Sequence, residues 1–384
     1  VIAVTWRRAA PLALLLTMAA CAKPDAPPPP EPGGNWVLNT AAVDSLPMLT
    51  PADGRLVCVA DGRVPCPLRQ PVANRLGGDR IALWEPGRLV QIWGTDTTPV
   101  TVGATGRGLG QYQTVLGVGP GSGNGVELID MMTDGARVMR YDAAGNFIES
   151  KPLPTIIAGE ARGYVGALPV LQGVVAQADS GDAVFRLFLL KKTTDTTGAL
   201  LFQAPMAGVR MQGTQLVSSP PLFATAPVYA LFQDGEVVVG MSDRIELMRR
   251  MADRTPRWQL RIEQPRLRIT PEQLAAKRAS VQELFGGQLS AADLDTMAAR
   301  SDTLHPAIAG IISTHEGQLY IAGPVTGVGS VDYFKVRADG KPIGRFQLPG
   351  TTRVLLAAGD SLLVQRPQEG ELYEVRWLRL TTTP

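Results

Sequence analysis

The sequence predicts an all-β fold, a six-bladed β-propeller with one small helical insertion between blades four and five. Three observations predict it. From about residue 79 onward, apolar runs alternate with Gly, Asp-Gly or Pro, the pattern of antiparallel strands joined by tight turns. Helical periodicity is confined to one segment, about 264–306. The strand-and-turn cadence recurs at a period near 40 residues, and an all-β chain with such repeats protects its sheet edges by closing into a ring.

The clearest unit is a three-strand meander over 126–150, with turns at Thr133-Asp134-Gly135 and Ala143-Ala144-Gly145. The same cadence runs through 236–262 and 317–349. Six units follow: about 79–103, 114–151, 164–204, 228–262, 308–348 and 353–380. The sixth shows three strands, so a segment from the N-terminal region, near Trp36-Val37-Leu38 or around Val57-Cys58-Val59, is expected to complete it and close the ring.

Within the insertion, Thr270-Pro271-Glu272-Gln273 is a capping box with Pro at the first helical position. Leu274, Val281, Leu284 and Phe285 then share one helical face until Gly286-Gly287, and Ser290 to Asp293 starts a second helix carrying Leu294, Met297 and Ala298. The insertion is read as folded over a rim of the propeller, covering apolar surface or serving as a lid or partner-docking element.

The N-terminal region supplies an address. Residues 1–20 carry Arg7-Arg8, an apolar run from Ala9 to Ala20, and then Cys21, the pattern of a secretory signal. The apolar run contains Pro11 and is far shorter than the roughly 20 residues that span a bilayer. Met18-Ala19-Ala20-Cys21 resembles the lipobox of bacterial lipoproteins, which implies acylation of Cys21 after cleavage. The Pro-rich stretch 21–35 reads as an extended spacer, with the propeller occupying 36–384. Ala22 and Lys23 do not resemble the inner-membrane retention signal, so the expected location is the bacterial envelope, at the outer membrane and facing the periplasm. Loss of Arg7 and Arg8 with the signal leaves basic and acidic residues equal in number, which speaks against a nucleic-acid partner. With Cys21 lipidated, Cys58 and Cys66 remain, flanking the turn residues Asp61-Gly62, and a structural disulfide across a hairpin is expected.

A family resemblance narrows the fold. The stretch 103–112, rich in glycine, followed by a strand and then by 137–147 with Tyr141-Asp142-Ala143-Ala144-Gly145-Asn146-Phe147, resembles the NHL-type repeat. It is similar to the bacterial six-bladed-propeller lipoproteins, with Leu109 where that family has Pro and Gln111-Tyr112 where it has Glu-Phe.

No catalytic motif is evident. The glycine runs 106–111 and 119–125 lack the third glycine of a dinucleotide loop and are read as turns between strands. No Gly-x-Ser-x-Gly or Ser-x-x-Lys occurs, and of the two histidines, His305 closes the insertion while His315 sits in a hairpin turn. The expected function is a lipid-anchored binding or scaffolding module without a cofactor, with an envelope protein or glycan as partner. The alternative is a divalent-metal hydrolase of the lactonase type, with calcium held by residues such as Asn124, Glu127, Asp130 and Asp332. Against it, Asp130 and Asp142 are expected to make Asx-type turn bonds. The arginine-rich run 261–268 reads either as a patch for an anionic glycan or partner, or as a solvated strand face.

Overall fold

The computed structural model describes residues 34–382 except 60–70, 86, 96–97, 134, 155–159, 177–181, 213–214, 217–220, 285–288, 327–328 and 369–372. The signal segment, Cys21, most of the spacer, Cys66 and Phe285 therefore lie outside the described residues.

Six antiparallel sheets form the blades, each beginning with an inner strand. Blade one runs from Val72–Gly77 to Val100–Val102, blade two from Thr114–Pro120 to Phe147–Pro152, and blade three from Glu160–Val165 to Ala199–Gln212. Blade four runs from Pro227–Leu231 to Pro256–Ile262 and blade five from Gly310–Ser313 to Pro342–Pro349. Blade six combines Arg353–Ala358, Ser361–Pro367 and Tyr373–Thr382 with Leu49–Val59 as its outer strand. Blade one thus starts earlier than residue 79. Its inner strand, Val-Ala-Asn-Arg-Leu-Gly, interrupts its apolar run with two polar residues and so carries a weak strand signal.

Of the two candidates for closing the ring, the segment containing Val57-Cys58-Val59 does so, pairing antiparallel with the last strand of the chain. Trp36 and its neighbours take another place. Asn35–Leu38 adds in parallel to the outer strand of blade four, and the short helix α1 (Thr40–Asp44) follows. Met48 then bridges Arg345 on the outer strand of blade five. Residues 35–59 are consequently a strap along the outer edges of blades four, five and six, covering edges that would otherwise offer unpaired backbone groups.

Neighbouring blades pack face to face, so both faces of a middle strand are buried. In Arg80–Trp84, Ile81 and Leu83 point into the core shared with blade six, while Ala82 and Trp84 point into the core shared with blade two. This explains why the strands read as continuous apolar runs. The seam between blades four and five is rich in apolar side chains, including Phe232, Trp258, Leu319 and Phe334. The seam between blades two and three buries only Ile129, Ala136, Val138 and Leu153 in its apolar cluster and is completed by polar contacts.

The insertion holds helices α2 (Pro271–Leu284) and α3 (Ala291–Ala299). Gln273 N–H donates to Thr270 Oγ1 and Thr270 N–H to Gln273 Oε1, at 3.3 and 2.9 Å. Ser290 and Asp293 form the equivalent box on α3. Leu294 and Met297 make a small core with Leu222, flanked by Phe223, Leu274 and Val281. The insertion thus packs on the segment entering blade four.

Candidate functional site on the turn face

Alternation of strand direction gives the ring two faces. One, here the turn face, holds the turns from inner to second strand and from third to outer strand. The other, the connection face, holds the remaining loops and the insertion. An axial cavity of about 270 Å³ runs between the inner strands, walled by Tyr164, Tyr229, Ile311 and Leu355. Asn74, Arg75, Gln233 and His315 supply polar groups toward its turn-face end.

Each polar side chain here has a definite task. Asn74 is buried, and its Nδ2 donates to Val118 O at 2.8 Å and Gly166 O at 2.9 Å while its Oδ1 accepts from Gly166 N at 2.8 Å. One amide therefore ties blade one to blades two and three. Arg75 donates from Nε and Nη2 to Gly78 O, and its Nη1 stands 3.7 Å from Glu316 Oε1. Glu316 also accepts from Gly359 N at 3.0 Å, so blades one, five and six meet at the mouth.

A second polar centre joins blades four and five. Arg249, only 4% exposed, donates to Glu236 at 2.7 Å, to Asp234 at 2.9 Å and to Ala338 O at 3.1 Å, with its guanidinium 4.0 Å over the Phe232 ring. Glu236 is held by Arg257 as well. Charges this enclosed persist because each is paired and hydrogen-bonded. At the polar seam of blades two and three, Tyr164 Oη donates to Glu127 Oε2 at 2.6 Å, and burial pushes its phenol well above the usual range.

The four residues weighed as metal ligands are not brought together. Asn124, Glu127 and Asp130 belong to blade two and Asp332 to blade five. Glu127 and Asp130 stand three apart on one strand and point to opposite faces of the sheet. Glu127 is bound by Arg140 and Tyr164, and Asp332 accepts from Gln347. The described residues lining the axial cavity include no carboxylate, and no group of three or more His, Cys, Asp or Glu among the described residues could hold an ion. The described residues therefore do not fit an axial calcium site.

Asp142 makes the expected Asx turn, accepting from Ala144 N and Asn146 N, and these bonds, with Asn146 foremost, hold its carboxyl below the usual range. Asp130 differs from expectation: fully buried, it accepts from Gln113 N and Thr114 N and pairs with Arg137 at 2.9 Å. It is a clamp on the start of the inner strand, reaching 16 and 17 residues back.

His305 is buried, edge-on to Phe223 and 2.9 Å from Gln273 Oε1, and burial lowers its pKa. It joins the end of the insertion to the start of α2 and to Phe223 on the segment entering blade four. His315 lies exposed in its turn at the channel mouth.

The arginines of 261–268 are largely occupied. Arg261 pairs with Glu263, and Arg266 donates to the carbonyls of Leu304 and His305. Arg261 and Arg266 line a groove of about 880 Å³ on the connection face, where with Arg244 they face four carboxylates, those of Asp243, Glu246, Glu263 and Asp332. Leu109 is 90% exposed at the tip of the glycine-rich loop. Gly103 and Gly110 have φ of 55° and 71°, the left-handed geometry of turns. Cys58 is fully buried in the outer strand of blade six, and Cys66 lies outside the described residues.

The sequence did not point to Asn74, Arg249 or Glu236. Asn74 sits in a strand with a weak apolar signal, and the partners of Arg249 are non-local, Ala338 O lying 89 positions away.

No protein-family model matches the sequence, and no curated protein matches it. Among solved structures, a member of the DUF4221 family from Bacteroides vulgatus aligns with 88% of this chain and 100% of its own, at 10% identity and TM-score 0.50. Virginiamycin B lyase from Staphylococcus aureus aligns with 87% of this chain and 99% of its own, at 10% identity and TM-score 0.40. A gluconolactonase from Xanthomonas campestris aligns with 88% and 98%, at 13% identity and TM-score 0.34. The first of these likenesses supports the six-bladed propeller fold, and at such identity it speaks of fold alone.

Proposed function

We propose that the protein is a lipid-anchored binding or scaffolding module of the bacterial envelope, akin to the NHL-like propeller lipoproteins, with an envelope protein or glycan as partner. The observation that carries this reading is the commitment of the polar groups. Asn74, Asp130, Glu127, Glu236 and Arg249 are spent on joining strands and blades, which leaves a rigid loop-built platform around the channel mouth.

The anchor belongs to the same proposal. Acylated Cys21 holds the chain, residues 22–35 space it from the outer membrane, and the propeller faces the periplasm. A Cys58–Cys66 disulfide belongs to the same proposal. The test is fractionation of cells making the full chain or its Cys21→Ala variant, with intact mass read before and after reduction and alkylation. The reading requires the wild type in the membrane fraction, the variant released from it, and one reducible cysteine pair. Recovery of both chains in the same fraction contradicts the anchor.

A further inference from the structure

On the turn face, the seam between blades two and three holds a pocket of about 210 Å³, smaller than pockets that enclose a drug-sized ligand and suited to a compact polar one. Its lining is unbalanced in charge: Arg140, Lys151, Lys191 and Lys192 face only Glu127 and Glu149. Both carboxylates are already matched, Glu127 by Arg140 at 2.7 Å and Glu149 by Arg140 and Lys151 at 2.6 and 3.0 Å. The excess positive charge therefore falls on the loop from third to outer strand of blade three. Lys191 is exposed and has no partner among the described residues. Lys192 Nζ stands 3.8 Å from Asp195 Oδ1, beyond hydrogen-bond reach.

The loop that carries these two lysines is held by its neighbours. Buried Arg162 donates from Nη1 to Thr193 O at 2.5 Å and to Asp195 O at 2.6 Å, and Thr193 Oγ1 meets Tyr164 Oη at 2.5 Å. Binding at Lys191 and Lys192 need not order this backbone, which lowers its cost. Glu149 spends Oε1 on its two cations, and its Oε2 has no bond among the described residues, so it can accept from a hydroxyl.

We propose that this pocket binds a sugar phosphate, its phosphate received by Lys191 and Lys192 and a sugar hydroxyl donated to Glu149. A phosphate monoester carries about two negative charges at neutral pH, which matches the excess of the lining. The inference rests on the reading of a turn-face binding module and names a ligand class for it. Its test uses a soluble probe and no anchor, so failure here leaves cross-linking to a partner free to succeed.

The probe is α-D-glucose 1-phosphate, titrated calorimetrically into the full chain, with glucose, inorganic phosphate and glucuronate alongside. Saturable binding of the sugar phosphate is expected, weakening as salt is raised, with each of the other three at least about ten-fold weaker. Replacing both lysines (Lys191→Ala with Lys192→Ala) should weaken it at least about ten-fold. Ala167→Glu, which sets a carboxylate on the exposed pocket wall, should weaken it too, whereas Lys277→Ala on exposed α2 should leave it unchanged. No saturable binding, affinity indifferent to both pocket variants, or an equal loss in Lys277→Ala overturns the site. Inorganic phosphate or glucuronate binding as tightly as the sugar phosphate overturns the ligand class. Tighter, lysine-dependent binding to phosphatidylcholine vesicles containing phosphatidic acid overturns the sugar in favour of a lipid headgroup.

Discussion

On the turn face, all six seams are crossed by a side chain bonded to the neighbouring blade. Asn74 reaches Val118, Tyr164 reaches Glu127, Arg250 donates to Leu201 O at 2.7 Å, Arg249 reaches Ala338, Tyr320 donates to Gly359 O at 2.6 Å, and Arg55 reaches Gly94. The connection face has such buried bonds at the seam of blades one and two, where Tyr112 Oη accepts from Val90 N–H and donates to Val102 O, and differs in the rest of its construction. Its largest feature is an insertion with a core of its own, and its surface charges pair with near neighbours, as Arg244 does with Glu246 and Arg261 with Glu263. The difference teaches where rigidity comes from. Buried bonds between blades fix the positions of the turn-face loops, whereas exposed local pairs fix little.

The largest effect should come from Glu236. Replacing it with Ala takes the buried carboxylate from Arg257 and from Arg249, which is 4% exposed and keeps only the half-exposed Asp234 as a charged partner. Removing one partner of a buried pair costs about 3–5 kcal/mol. Denaturant unfolding of Glu236→Ala against wild type reads this directly, and a loss under about 1 kcal/mol would break the contrast between the faces. Next comes Asn74→Ala, which leaves the Gly166 N–H and two carbonyls buried without their partner, at a cost of about 1–3 kcal/mol. The same unfolding curves measure it.

On the other face, Ser290→Ala removes the cap of α3 and should cost about 1 kcal/mol, felt locally. Hydrogen exchange in α3 should quicken while exchange in blade two stays as it was. His305 gives a test by pH. Its folded pKa lies below the ordinary 6.5, so the unfolded chain takes up its proton first as pH falls. The histidine's contribution is thus complete above pH 6.5 and declines as pH drops below it toward the folded value. The insertion should loosen in mildly acidic buffer, as amide exchange in α3 would report, and His305→Gln should remove that acid sensitivity. The smallest effect is expected for Glu246→Ala, within about 1 kcal/mol, because both members of its pair with Arg244 are more than half exposed.

Much of this architecture was legible in the sequence because it is encoded locally. Apolar runs ended by Gly or Asp-Gly marked the strands, and Thr270-Pro271-Glu272-Gln273 and Ser290-Ala291-Ala292-Asp293 marked the two helices through side chains that bond three residues away. The closing strand was legible as a deficit in blade six. What remained hidden is non-local. Nothing in the run Asn35–Leu38 says that it adds in parallel to blade four, more than 200 residues on. Asp130 looked like a turn former and proved to be a buried clamp, because its acceptors serve backbone groups on another strand.

The central claim is that the turn face is the working surface of a binding module. A photo-reactive benzophenone side chain placed at His315, at the channel mouth, or at Arg244, on the connection face, tests it in cells making the full chain. The account predicts a discrete cross-linked species from position 315 and none from 244. Cross-links from 244 alone, or none from either position, would contradict it.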